Sequence, residues 1–427
     1  MHRRTRTMAW LRHTTVSFAC AISALTGHAQ SVTEPVKKAL SPSHGLRQAF
    51  DAAWARQPEA LALQARRDAA RAQQRAAQAW TPEPMALEAF SRTDRLNENQ
   101  GAYELEVGVI VPLWLPGERS GSAALANAEG AAIESRFSAA QLRVAAIVRD
   151  AWWQWQRTRV EVESARDQLD NTLRIAADVS RRTKAGDLAR ADQHQADGAV
   201  AGAESRLAQA EAGLASAQQH LRALAGQSSV SGEDAATAPE PDPGVGAAGV
   251  DGHAALLELQ DRAAVAERTA ALASAQSRAT PEILLGTTRE RGSSSESSKQ
   301  TLTLGLRIPF SGGARHDARV ANARAEATEV LAQLALERER LTAEREAARV
   351  RVEAARMQLT AAERRAQLAR ESRGFFDKSF RLGETDLPTR LRIEAEAAEA
   401  ERQAASSRIE LAAAISAWRQ ALGLLPQ

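Results

Sequence analysis

Cysteine is nearly missing from this chain of 427 residues: its single copy is Cys20. Aromatic residues make up only 4% and hydrophobic residues 44%, much of the latter alanine. That leaves too little bulky apolar side chain for a large globular core, and matches the composition of long packed helices. No HExxH, no phosphate loop, no GxSxG and no paired-cysteine metal site occurs, so the sequence points away from an enzyme. His44, His194, His220, His253 and His316 are scattered, without the spacing that metal ligands need. No metal site and no cofactor are expected.

Long apolar runs are also lacking. The most apolar stretch, "TTVSFACAISAL", is too short to cross a bilayer as a helix. It follows Arg3, Arg4, Arg6 and Arg12 and precedes the small-residue site "GHA", the layout of an export signal over residues 1–29, with an uncleaved anchor as the alternative. Cleavage removes four arginines and no acidic residue, taking the net charge from +2 to −2. No general nucleic-acid surface follows from that balance. It also removes Cys20, and with it disulfide and thiol chemistry. Lipid attachment at Cys20 is a competing reading, although "SFAC" lacks the leucine usual three residues earlier.

What is present is a unit that occurs twice. "VGVIVPL" (Val107–Leu113) matches "LGLRIPF" (Leu304–Phe310) at both glycine and proline. Each is followed by a glycine turn with arginine, "PGER" and "GGAR", then by "ALANAEGAA" and "RVANARAEA". Upstream, "WTPEPMALEAF" parallels "ATPEILLGTT"; downstream, "KAGDL" parallels "RLGETDL", and "LRALAG" parallels "WRQALG". Chance supplies one such match, not a series in the same order.

Each unit predicts a β-hairpin. Tyr103, Leu105, Val107, Val109 and Val111 share one face of a strand, opposite Glu104, Glu106 and Gly108. In the second unit Leu302, Leu304, Leu306 and Ile308 oppose Thr301, Thr303, Gly305 and Arg307. This alternation has the strand period of two. Less regular partner strands precede each, near Met85–Arg92 and Ile283–Arg289, across the polar connections "TDRLNENQGA" and "ERGSSSESSK". A soluble hairpin packed on a helix would show the same alternation.

The helices weigh against that alternative. No proline interrupts Pro116–Lys184 beyond its first residue, or Gly313–Leu382, stretches that reach about 100 Å each at 1.5 Å per residue. In the second, Leu334, Leu341, Ala348, Val352, Ala355, Leu359, Ala362, Ala366 and Ala369 form a heptad-like seam whose alanines allow close helix approach. The predicted organisation is a signal (1–29) and a first repeat (30–226: half-helix, hairpin 85–113, long helix 117–184, half-helix 187–226). A Pro/Gly/Ser linker (227–250) leads to a second repeat (251–427: half-helix, hairpin 283–310, long helix 313–382, half-helix 386–425).

Strands of this length cross a bilayer when tilted. Four alone cannot, because an open sheet leaves backbone groups unpaired in lipid at several kcal/mol each. Several copies must close one barrel.

The doubled series "PEPMALEAF…VGVIVPLWLPGER…ALANAE" and "PEILLG…LGLRIPFSGGAR…RVANARAEA", with both helix-reversal motifs, resembles the TolC-like outer-membrane efflux proteins over nearly the whole exported chain. The "LPGER" turn and modest length resemble the cobalt–zinc–cadmium resistance branch. The resemblance implies a mainly α fold with a small β part: a long antiparallel α-helical coiled-coil barrel and two membrane β-hairpins per chain. A homotrimer would then combine twelve strands into one barrel in outer-membrane lipid, continued by a periplasmic α-tunnel. It implies passive conduction, with heavy-metal cations as the favoured cargo. The implied partners are a periplasmic adaptor (membrane fusion) protein and an inner-membrane pump of the resistance-nodulation-division type. Multidrug efflux or type I protein secretion is the alternative within the fold; a periplasmic coiled-coil adaptor is the alternative outside it.

By the same resemblance, the turns at Gly186 and Gly383 become periplasmic tips. Glycine suits a left-handed helix C-terminus, and Asp187 and Thr385 or Asp386 are candidate caps of the helices that follow. Leu188, Leu382 and Leu387 would meet the adaptor and form part of the gate; simple chain reversal is the plainer role. Thr389, Arg390 and Arg392 stand where some relatives carry an acidic constriction. Glu104, Glu106, Thr303 and Arg307 would face the barrel lumen. Tyr103 is placed at the membrane boundary and Trp114 either there or beneath the barrel, while Trp152, Trp153 and Trp155, about 50 Å down the helix, read as packing around the tunnel's middle, with ligand stacking as the alternative.

Overall fold

The structure, a computed structural model, describes residues 44–96, 99–226, 239–243, 249–310 and 313–427. The expected export signal, most of the linker and part of the turn after the second hairpin lie outside the described residues. A short helix α1 (His44–Trp54) and helix α2 (Pro58–Ala77) precede strands β1 (Ala86–Thr93) and β2 (Tyr103–Pro112). Helix α3 (Glu118–Ala185) and helix α4 (Arg190–Ala225) complete the first repeat. The second runs α5 (Ala254–Ala275), β3 (Glu282–Arg291), β4 (Lys299–Arg307), α6 (Gly313–Arg381) and α7 (Leu387–Ala421).

Helices α3 and α6 have 68 and 69 residues, about 100 Å each by their rise. Among the described residues no helix is long and apolar enough to cross a membrane. Stability comes instead from narrow alanine seams. On α6, Leu341, Ala348, Val352, Ala355, Ala362 and Ala366 are buried, and Ala362 and Ala366 pack against Ala400 and Ala404 of α7. The lower end of the seam expected from the heptad spacing, at Ala362, Ala366 and Ala369, therefore pairs these two helices.

The main core lies where α1 crosses α3. Leu46, Phe50, Trp152, Trp153, Trp155 and Leu221 are buried there together with Ile409. The tryptophan cluster is thus packing, with Trp152 and Trp155 edge to face at 5.1 Å. Trp114 lies beneath the sheet, half-buried, donating from Nε1 to the Ala79 carbonyl at 3.2 Å.

The predicted linker contains a feature its composition conceals. Glu240 is only 2% exposed. It accepts two hydrogen bonds from Arg149 of α3, at 2.9 and 2.7 Å, and one from Arg419 of α7 at 3.2 Å. The segment 239–243 is a strap joining the two repeats.

His253 caps α5, its Nδ1 accepting from the Ala255 N–H at 3.3 Å. Burial lowers its pKa below the ordinary imidazole value, outweighing the raising effects of the Gln420 backbone, Glu337 and Glu344. Only the unprotonated Nδ1 accepts this bond. A depressed folded-state pKa means the contribution is complete above the unfolded value near 6.5 and is lost as pH falls through the folded value. Between pH 7.5 and 5.5 the first turn of α5 should lose about 1 kcal/mol, read as a roughly fivefold drop in amide-exchange protection at Leu256 and Leu257. His253→Asn should flatten that dependence while keeping a cap.

Candidate functional site

The two hairpins form one antiparallel sheet in the order β1-β2-β3-β4. Two separate hairpins follow from the alternation in sequence; their union follows from β2 pairing β3 along its length, Tyr103 opposite Arg291 and Pro112 opposite Glu282. Register then sorts every side chain. Leu87, Val109, Leu285 and Leu304 stand in one row across all four strands, and all four are exposed, Leu304 at 76%. An apolar row open to the surroundings on a sheet of this width has no partner among the described residues.

The opposite face carries Glu104, Glu106, Thr303 and Arg307, the four side chains expected to face one lumen; the register brings them to that common face. Glu104 accepts from Arg92 at 2.6 Å, and Arg307 donates to Glu282 at 3.3 Å. Both are directly opposed cross-strand pairs, a geometry that contributes a few tenths to 1 kcal/mol each. Arg92 and Glu282 escaped the sequence reading because their strands alternate less regularly.

At the far end of the long helices the two reversal turns use one motif. Gly186 has φ of 89° and Gly383 of 79°, the left-handed region open to glycine at little cost. Gly186 N–H donates to Thr183 O and Asp187 N–H to Arg182 O; Gly383 N–H donates to Phe380 O and Glu384 N–H to Ser379 O. These bonds satisfy the last carbonyls of α3 and α6. Asp386 caps α7, accepting from the Thr389 N–H at 3.1 Å. The Thr389 hydroxyl, then its N–H, hold the Asp386 carboxyl below its ordinary pKa.

Two expectations need correction. Asp187 does not cap α4, whose N-cap is Ala189, with Asp192 accepting from the Ala189 N–H at 3.0 Å. Helix α4 starts at Arg190, two residues too late for the Asp187 carboxylate to reach its first free N–H groups. Leu387 is not a surface contact: it is 2% exposed and packs with Ile175, Val179 and Phe380. Leu382, in contrast, is 75% exposed, and Leu188 lies half-buried beside the same cluster.

The turns are held to each other by a residue that sequence reasoning missed. Arg182, in the last turn of α3, donates to the carbonyls of Phe380 and Arg381 at 3.1 and 3.3 Å. Its guanidinium lies 4.9 Å from the Phe380 ring centroid. The signal available was a basic residue in a helix's final turn, where loose carbonyls invite it. Arg390, buried, pairs with Asp377 of α6, and Arg392 with Glu396 at 2.6 Å. Beside them a cleft of about 840 Å³ is lined by Arg174, Arg181, Arg370 and Arg381 among others. No convergent group of three His, Cys, Asp or Glu side chains fit to hold a metal exists among the described residues.

Residues 49–227 match the family model described as outer membrane efflux protein. No curated protein matches the chain. Among solved structures, the outer membrane protein VceC from Vibrio cholerae aligns with a TM-score of 0.71 at 19% identity, covering 90% of this chain and 97% of that one. CusC, described by its transmembrane channel formation, aligns at 0.74 and 15% identity over 90% and 92%. The open-state MtrE outer membrane channel of Neisseria gonorrhoeae aligns at 0.67 and 15% over 89% of each chain. The fold is theirs: mostly helical, with one four-stranded antiparallel sheet.

Proposed function

We propose that this protein is the outer-membrane duct of a tripartite efflux system, passively conducting cargo delivered by an inner-membrane pump and a periplasmic adaptor. One observation carries this reading: a four-stranded sheet with an exposed apolar row and two unpaired edge strands, joined to helices of about 70 residues. Unpaired strand edges are not tolerated in lipid, and barrels of fewer than about eight strands are unknown in single outer-membrane chains. Closure by three copies gives twelve strands. The polar face with Glu104, Glu106, Thr303 and Arg307 then lines the lumen, and α3, α4, α6 and α7 continue it as a periplasmic tunnel.

Gly186, Asp187, Leu188, Leu382, Gly383 and Asp386 form the tips in this reading, with Leu188 and the exposed Leu382 offered to the adaptor. Leu387 supports them from within. Opening would require Arg182 to release the Phe380 and Arg381 carbonyls. Heavy-metal cations are the favoured cargo, with the resemblance of the "LPGER" turn to the cobalt–zinc–cadmium resistance branch as support. A cargo that passes through needs no tight site.

A deletion strain should become sensitive to zinc, cobalt or cadmium but not to dyes and detergents; the reverse pattern moves the cargo to drugs. Complementation with Gly383→Pro should fail, export falling at least tenfold while trimers stay in the membrane. Proline fixes φ near −65°, whereas Gly383 sits at 79° and its N–H is bonded to Phe380 O. Unchanged export by this variant would remove the tip assignment.

A further inference from the structure

All five strand carboxylates, Glu88, Glu104, Glu106, Glu282 and Glu290, lie on the polar face of the sheet. The opposite face carries two charged strand residues, Arg289 and Arg291 of β3, and both are cations. They follow Ile283, Leu285 and Thr287 on the same face and occupy the end nearest the hairpin loops. Among the described residues neither is paired with a carboxylate. Arg289 donates from Nε and Nη2 to Ser298 Oγ at 3.3 and 3.2 Å, and is exposed. Arg291 donates from the same two nitrogens to Gly101 O at 3.2 and 3.1 Å, with its guanidinium 5.0 Å from the Tyr103 ring centroid.

We propose that Arg289 and Arg291 form a clamp on the outward face of the sheet for the phosphate groups of lipid in the surrounding leaflet. The inference rests on the membrane reading above. Each guanidinium has five N–H groups, of which these contacts engage two. The two side chains stand two residues apart on one face, about 7 Å along the strand, the scale of a headgroup bearing more than one phosphate. Ser298 and Gly101 hold the planar forks in place before the ligand arrives, and a guanidinium fork matches phosphate oxygens two at a time. Depth agrees: an arginine is costly at a bilayer midplane and nearly free at its interface. The hydrocarbon therefore ends near Thr287, and the next two outward positions enter the headgroup layer.

The test uses the detergent-purified full chain, titrated with diphosphorylated lipid A, dephosphorylated lipid A and inorganic phosphate, with bound lipid read by native mass spectrometry. Diphosphorylated lipid A should bind about tenfold more tightly than the dephosphorylated form. Arg289→Gln/Arg291→Gln should lose that preference, and Arg92→Gln/Lys299→Gln, which removes two cations of the other face, should keep it. Equal binding by the clamp variant, equal loss in the control, or displacement by millimolar inorganic phosphate overturns the inference. Should the double variant fail to assemble, Arg289→Gln alone, which removes the bonds to Ser298, serves the same comparison. Fractionation separates the two levels: a soluble monomeric wild type sinks the membrane reading, whereas a membrane-resident channel indifferent to lipid phosphate sinks only the clamp.

Discussion

Replacing Glu240 by alanine should cost about 3–5 kcal/mol, the loss expected when one partner of a buried ion pair is removed and the other is left without its counterion. Here two guanidiniums are left. Arg149 and Arg419 have side chains 3% and 4% exposed against 1% for Glu240. Other bonds hold them in place: Arg149 donates to Gln420 Oε1 at 2.6 Å and Leu424 O at 3.0 Å, and Arg419 to Pro241 O at 3.0 Å. The cations cannot swing out to water without breaking these. Burial already lowers the Arg419 pKa against the raising effect of Glu240, and the nearby Arg149 charge lowers it further. Without the carboxylate only the unfavourable influences remain. The thermal midpoint should fall by roughly 5–10 °C, and protease should cut near residue 240 in the folded protein. Glu240→Gln, which keeps an acceptor but no charge, should fall between. A triple change, Glu240→Leu with Arg149→Met and Arg419→Met, should recover most of the loss, because apolar replacement removes the desolvation cost together with the attraction. An unchanged midpoint in Glu240→Ala would make the strap a passive tether.

That strap marks the boundary of what could be read in advance. Hairpins, long helices and glycine turns announce themselves locally, through a period of two, an absence of proline and a left-handed residue at a helix end. Their duplication gave each signal a second, independent instance. Glu240 has no local signal: it stands in "PEPDP" within a stretch of connector composition, and its partners are 91 and 179 residues away. Leu387 shows a second kind of blindness. Leu382 and Leu387 flank one turn and are equally apolar, yet one is exposed and the other closes the cluster around Phe380. Only the approach of α3, fixed by Arg182, distinguishes them. The Asp187 error is smaller and of the same origin, since "AGDLAR" offers several places for α4 to begin. The pairing of β2 with β3 joins segments about 180 residues apart in sequence, a distance at which no periodicity speaks.

On the sheet, Leu304→Arg should all but abolish assembly while its neighbour Thr303→Arg should be tolerated. The two positions are adjacent in sequence and differ only in face. Leu304 is 76% exposed and stands with Leu285, Val109 and Leu87, a row with no polar group in it. In the proposed barrel an arginine there meets hydrocarbon in every copy, about 2–4 kcal/mol each at the midplane. Closure of the proposed barrel by three copies would multiply the cost to roughly 6–12 kcal/mol, comparable with the stability of a whole domain. Thr303 stands in a row with Gly286, Gly108 and Glu88, so an arginine there has room beside two glycines and a carboxylate within the same row. The yield of heat-modifiable oligomers in the outer-membrane fraction should fall more than tenfold for Leu304→Arg and less than twofold for Thr303→Arg. A reversed result would exchange the two faces. Equal tolerance would mean that both faces meet water, and a four-stranded sheet wet on both sides gives no reason for copies of this chain to close into a barrel.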